Sequence, residues 1–328
     1  MALVFVLSGG GATGAYQAGA LLALAEAGLV PDAVVGCSAG ALNGAFYAAD
    51  PTRARAAALV DFWLAPTSRA VLAPSLLSRV RGVPNFVRHG DALLDQRPLR
   101  GMLSRFLDAH DLGELAVPLT VTTTCLDCGT AVHHRQGPLL ETLLASCALP
   151  GLLSPVKLPD GHLHVDGGVV CGVPLQPALD RAAQTDTVLV LDAGLAPVTG
   201  QAGWCAAAGA GGACGLPVQR VQAYTAPLER ARNPLVDVVL RSFTVARGAA
   251  NRASVQAALT DPRIRVLPHV ADAWAAGMLP TLPTGPRDFV RAPDLVSAGH
   301  AAARAWLGAN GTAEPGLAVA GRSSTDRQ

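Results

Sequence analysis

A chain of 328 residues, half of them hydrophobic, can bury a large core, and its seven cysteines, scattered through apolar context, suit reduced thiols better than a disulfide framework. A net charge of +1 with only 15% charged residues gives neither the basic footprint of a nucleic-acid binder nor a strong pull toward anionic lipid, so no nucleic acid is expected as partner. The N-terminus has no basic n-region and its apolar run breaks at glycines after Leu7, which fits neither a signal peptide nor a membrane-spanning helix, and the expectation is a soluble cytoplasmic product.

Residues 2–7 read as a strand, followed by the loop Gly9-Gly10-Gly11-Ala12-Thr13-Gly14 and a helical pattern over 15–27 that stops at a C′ glycine, Gly28. A second short strand, 33–35, runs into Gly36-Cys37-Ser38-Ala39-Gly40 and a small-residue helix to residue 49. Strand, sharp turn and helix put a serine at the apex, with Gly36 and Gly40 where the two backbones approach too closely for side chains. The hydroxyl then projects at a helix N-terminus, where N–H groups and the helix dipole favour developing negative charge.

An alanine-rich helix is expected over 53–64, whereas 66–100 has no clear period and reads as a cap over the site or a plain connecting excursion. β-Branched density over 117–126 marks a strand that 131–135 can pair with. A helix near 139–147, a strand into Asp166-Gly167-Gly168, a helix after Pro174 and a buried strand at 187–191 follow. Residues 199–216 read as a mobile loop, and Asn233-Pro234 opens a long amphipathic helix to about residue 259. A strand at 264–267 and a helix at 294–307 complete the body, and 309–328 reads as a disordered tail. This alternation predicts an α/β fold, a central mostly parallel sheet with helices on both faces, in one catalytic domain over 1–308.

Acyl transfer needs a nucleophile, a base and donors aimed at the oxyanion of the tetrahedral intermediate. Ser38 is the candidate nucleophile; Asp166, at a strand end before Gly167 and Gly168, is the candidate base; Gly9, Gly10 and Gly11 offer amides at the same sheet edge. A Ser-His-Asp esterase would need a later histidine, but His269 precedes a helix and His300 lies within one, so each reads more simply as a packing or surface residue. His162 and His164 share a strand face approaching Asp166, in a structural or substrate-facing role. Residues 9–14 also satisfy the dinucleotide-binding G-x-G-x-x-G, yet no acidic residue ends the second strand. Cys125 and Cys128 form a C-x-x-C without a second pair or helix-borne histidines at zinc-ligand spacing, so the sequence assigns no metal and no cofactor.

Taken in order, the glycine loop, the serine elbow and Asp166-Gly167-Gly168 resemble the bacterial patatin-like phospholipases. Flanking text agrees in Ala15-Tyr16-Gln17-Ala18-Gly19, Ala145-Ser146-Cys147-Ala148-Leu149-Pro150-Gly151 and Asp288-Phe289, and the similarity covers most of 1–308. The resemblance implies a patatin-like three-layer fold and a Ser38–Asp166 dyad in place of a triad. It also implies an oxyanion hole at Gly9, Gly10 and Gly11, with Gly14, Gly36, Gly40, Gly167 and Gly168 as supporting motif positions. The implied substrate is a lipid ester such as a phospholipid, with lysophospholipids, acylglycerols and short esters equally compatible, and peripheral membrane contact through apolar side chains of 66–100 or 199–216. Two departures stand out: Thr13 replaces the usual loop Arg or Lys, and Cys171-Gly172 lies where asparagine is often found before Val173-Pro174. They leave open a slow enzyme or an idle lipid binder.

Overall fold

The computed structural model describes residues 1–72, 92, 94–194, 234–280 and 288–310, without the side chains of 234–241, 244, 245 and 252. The expected loop at 199–216, the tail beyond 310 and most of the suggested cap at 66–100 lie outside the described residues.

Five strands run parallel. β1 (Leu3–Leu7) lies between β2 (Ala33–Cys37) and β7 (Thr187–Leu191), with β3 (Leu119–Cys125) beside β2 and β8 (Ile264–Val266) beside β7. The antiparallel additions cluster at one end: β4 (Ala131–His134) and β6 (Leu163–Asp166) both pair with β3, and β5 (Val156–Lys157) pairs with β6. The sheet is therefore mostly parallel.

Strand alternation distributes side chains between two cores. Leu3, Phe5 and Leu7 face a large core shared with α1 (Gly14–Glu26), α2 (Ala39–Ala48) and α3 (Arg53–Leu64). Val4 and Val6 face a smaller one shared with α7 (Leu175–Leu179) and α8 (Pro234–Ala258). Helices thus cover both faces, as expected when strands have no polar side. Helix α1 is rich in alanine and glycine and buried nearly all round. It crosses the C-terminal helix α10 (Ala292–Asn310) so closely that a Cβ at Gly19 would strike the Val296 carbonyl and one at Gly299 the Tyr16 carbonyl.

Between these lie α4 (Pro66–Leu72), α5 (Arg97–Phe106), α6 (Leu139–Ser146) and α9 (Val270–Ala275). Helix α5 starts at the end of the stretch without evident period and continues beyond it: Leu99, Met102 and Leu103 are its buried residues, and Arg97, Arg100 and Arg105 lie on its other faces. Among the described residues no helix is long and apolar enough to cross a membrane.

The edge of β3 decides where the site forms. β4 occupies one edge over Val121–Thr124, so β2 and β6 must share the other. β2 ends with Cys37 opposite Thr122, and β6 arrives from the other direction and ends with Asp166 opposite Thr123. Two carboxyl-terminal strand ends therefore meet head to head, one followed by Ser38 and the other closing on Asp166.

Candidate active site

Ser38 has φ 53° and ψ −123°, the one non-glycine positive φ among the described residues. Such a conformation costs about 1–3 kcal/mol and persists because its surroundings over-determine it. A Cβ on Gly36 would lie 2.7 Å from the Ala41 Cα, and one on Gly40 would collide with the Leu7 carbonyl. The Ser38 N–H donates to Ser146 Oγ (2.8 Å), whose own hydroxyl donates to the Thr122 carbonyl (2.7 Å). This clamp ties the elbow to β3, and Ser146 was passed over in the sequence because a serine inside a helix-ending motif carries no distinctive spacing.

The Ser38 hydroxyl donates to Asp166 Oδ2 at 2.6 Å, and Asp166 Oδ1 accepts from the Gly168 amide at 2.7 Å. Gly167 is packed against the Thr122 carbonyl and 3.0 Å from Cys37 Sγ by its absent Cβ, which lets the backbone turn directly after the carboxylate. Asp166 is 2% exposed. Burial pushes its pKa above the ordinary carboxylate value, while Arg247, the Ser38 hydroxyl and the Gly168 amide pull in the opposite direction. The neighbouring thiols of Cys37 and Cys147 are held protonated, chiefly by burial and then by the charge of Asp166, so neither competes as a nucleophile.

The pair opens into an apolar pocket lined by Leu42, Trp63, Leu72, Leu152 and Phe289 together with Gly11 and Ala39. Trp63 stacks on Phe289 and donates to Asn43, which donates in turn to Gln17 and to the Gly14 carbonyl. Gln17 closes the network on the carbonyls of Ser8 and Leu191. This buried chain fixes α1 and α2 against the strand ends. Leu72 and Leu94 come from the described margins of the 66–100 stretch.

The glycine loop behaves unevenly. Gly11 lines the pocket, but the Gly9 amide donates to the Gly172 carbonyl at 2.9 Å, which removes it as a free oxyanion donor. A Cβ on Gly10 would run into Thr13 and the Ala193 carbonyl, and Thr13 itself is turned away, donating to the carbonyls of Gly10 and Ala193. Gly14 meets Trp63 and Ala39.

Among the described residues no histidine lines the Ser38 pocket. Both ring nitrogens of His269 are engaged, one by the Ala271 amide and one by the Gly194 carbonyl, and His300 pairs with Glu26. His164 in β6 bonds Thr123 and Asp160, whereas His162 precedes the strand, is exposed and bonds Asp127, so the two do not share a strand face and neither is bonded to Asp166.

Sequence reasoning missed Arg247. It is 8% exposed and is the one cation among the described residues lining the pocket. It reaches over the Asp166–Gly168 turn, where a Cβ on Gly168 would sit 2.8 Å from its Nη1. One helical turn on, buried Asn251 abuts Gly172, with its Nδ2 unpartnered. The long helix thus brings an arginine to the Asp166–Gly168 turn and an asparagine to Gly172, one of the two places where the loop sequences depart from the family pattern. An arginine at i and asparagine at i+4 on a helix that faces the core was the available signal, since arginine is almost never fully buried without a task.

A serine elbow and a strand-end carboxylate, joined by a short hydrogen bond on a three-layer α/β scaffold, define a Ser–Asp class of site. The chain belongs to the patatin-like phospholipase family, whose model matches residues 5–179, more than half of its length. Patatin-like phospholipase domain-containing protein 7 of Rattus norvegicus is 28% identical over 59% of this chain and 14% of that protein. Lysophospholipase NTE1 of Cryptococcus neoformans is 30% identical over 58% of this chain and 11% of its own. The chain therefore spans only a small part of these relatives. The crystal structure of VipD from Legionella pneumophila aligns with 94% of this chain and 67% of that one at 16% identity, with a TM-score of 0.46.

Proposed function

We propose that the chain is a lipid acyl hydrolase in which Ser38 and Asp166 act as a catalytic dyad. The observation that carries this reading is the 2.6 Å hydrogen bond from Ser38 Oγ to Asp166 Oδ2 at the mouth of an apolar pocket. Ser38 Oγ attacks the ester carbonyl carbon and its proton passes to Asp166 Oδ2. The oxyanion forms beside the amides of Gly10, Gly11 and Ala39, at the N-terminus of α2. Collapse expels the alcohol, which takes the proton from Asp166. Water then gives a proton to Asp166 and attacks the acyl carbon, and release of the fatty acid returns the proton to Ser38. Asp166 suits this work because burial makes its carboxylate a stronger base than an exposed one.

The pocket walls favour an acyl chain, and Arg247 in the lining contributes a positive charge that suits a phosphate-bearing substrate. Phospholipid and lysophospholipid are therefore the proposed substrates, in line with the names of the relatives. Apolar, half-buried Leu72 and Leu94 in the pocket lining support peripheral contact with a lipid surface. Residues 1–308 are proposed to work as one catalytic unit, since the main core runs from Leu3 to Ala303.

The test is a lipid-ester panel assayed with wild type and Ser38→Ala, together with fluorophosphonate labelling. Phospholipid or lysophospholipid hydrolysis lost in the variant, with the adduct on Ser38, is expected. An adduct on another residue, or hydrolysis that survives in Ser38→Ala, would overturn the assignment.

A further inference from the structure

The turn joining β3 to β4 reads Cys125-Leu126-Asp127-Cys128-Gly129-Thr130, and the antiparallel pairing of β6 with β3 sets it beside the β5–β6 turn that carries His162. The donor atoms of Cys125, Asp127 and His162 all lie within 4.8 Å of one another. The Cys128 thiol is hydrogen-bonded both to Cys125 and to Thr130 Oγ1, the latter at 3.0 Å. None of the four residues lines the Ser38 pocket.

We propose that Cys125, Cys128, Asp127 and His162 form a binding site for one divalent transition metal of the zinc type, a clip between the β3–β4 and β5–β6 turns. Two sulfurs, one imidazole nitrogen and one carboxylate oxygen are a donor set for a borderline-soft tetrahedral ion, and they discriminate against magnesium and calcium. With metal–ligand bonds of about 2.0–2.3 Å, the edges of such a tetrahedron are about 3.3–3.8 Å, so Cys125, Asp127 and His162 close by side-chain movements of roughly 1 Å, and the Cys128 thiol, hydrogen-bonded to Cys125, turns in as the fourth ligand.

The backbone is already arranged for it. The Cys128 amide donates to Cys125 Sγ at 3.4 Å, which offsets thiolate charge, and Gly129, with φ 71°, lets the chain reverse immediately after the second cysteine. Cys125 N–H to Thr130 and Leu126 N–H to the Leu163 carbonyl hold the two arms in register. The Leu163 amide donates to Asp127 Oδ2 at 3.1 Å, and the His162 amide donates to Asp160, so two of the ligands have outer partners that orient them. Asp127, Cys128 and His162 are exposed and give the ion a way in, with Cys125 buried behind them. Binding releases the two thiol protons to solvent, and three anionic ligands around a dication leave the site at −1. Spacing along the chain concealed this arrangement because His162 is far from the cysteine pair in sequence and joins it only through strand pairing.

The reduced full-length protein, titrated with Co²⁺ and then Zn²⁺, tests the site. One equivalent of Co²⁺ is expected to give thiolate-to-cobalt charge transfer and tetrahedral d–d bands, both displaced by Zn²⁺. Cys128→Ser should abolish the charge-transfer intensity due to that sulfur, and His162→Ala should weaken binding by roughly tenfold or more. Cys205→Ser and Cys214→Ser should leave the spectrum intact. Absence of the bands in reduced wild type, or bands that survive unchanged in both Cys128→Ser and His162→Ala, would overturn the proposal. So would loss of the bands in Cys205→Ser or Cys214→Ser. Cys128 and His162 do not line the pocket, and the readout is spectroscopic, so failure here is distinct from failure of the hydrolase reading.

Discussion

Asp166 has to remain a base while buried, and three neighbours set how strongly. Desolvation raises its pKa, and Arg247 is the largest opposing influence. On the proposed mechanism the ionised carboxylate is the active form, so hydrolysis falls as pH drops through the raised pKa, at a higher pH than an exposed aspartate would impose. Replacing Arg247 with glutamine removes the cation that favours ionisation, and the acidic limb of the pH–kcat/KM profile should move further up. An unchanged limb would show that Arg247 does not act on the carboxylate. The same variant should lose more activity on phospholipid than on an uncharged short ester, which a kinetic comparison of the two substrates reads directly. Asp166→Asn should lower turnover by about a thousandfold or more, and combining it with Ser38→Ala should add almost nothing, because the two groups act as a unit. The serine and aspartate were legible in the sequence because each sits in a glycine-bounded motif with a steric reason. Arg247, Ser146 and the engaged Gly9 amide were not, since their roles depend on which distant group each meets.

Close packing at the elements is what makes the elbow possible, and it can be probed through stability. Helix α2 starts against the Leu7 and Ser8 carbonyls, with Gly40 at the contact. Gly40→Ala should destabilise the fold by about 3 kcal/mol or more, as read by urea unfolding, since the obstacle is backbone and cannot swing aside. Gly101, in the exposed middle of α5, has nothing near its absent Cβ. Gly101→Ala should instead stabilise by about 0.5–1 kcal/mol through the helix-propensity gain. If both substitutions had the same sign, the packing account would fail. At this scale most strands and helices followed from periodicity and caps: Arg53–Leu64 and Thr187–Leu191 form with the bounds expected. Helix α5 and strand β5 escaped, one because its period, Leu99, Met102, Leu103 and Phe106, straddles the end of the Pro- and Arg-rich stretch and the other because it is two residues long.

Across the whole molecule, the N-terminal and C-terminal thirds are bound by the α1–α10 crossing at Gly19 and Gly299 and by the Tyr16 hydroxyl on the Pro268 carbonyl. Removing residues 288–328 would uncover the α1 face and take Phe289 from its stack on Trp63. The shortened chain is expected to bind a hydrophobic dye and lose cooperative thermal unfolding; a sharp transition with unaltered Tm would contradict this. Local order in the chain determined the α/β alternation, the serine elbow and the strand-end aspartate, because steric demands on glycines and apolar periods act between near neighbours. Only the tertiary structure decided that β2 and β6 share one edge of β3, that an arginine of α8 covers the carboxylate, and that His162 lies beside Cys125 and Asp127. Those meetings depend on strand order and helix docking, which arise from contacts between residues far apart along the chain.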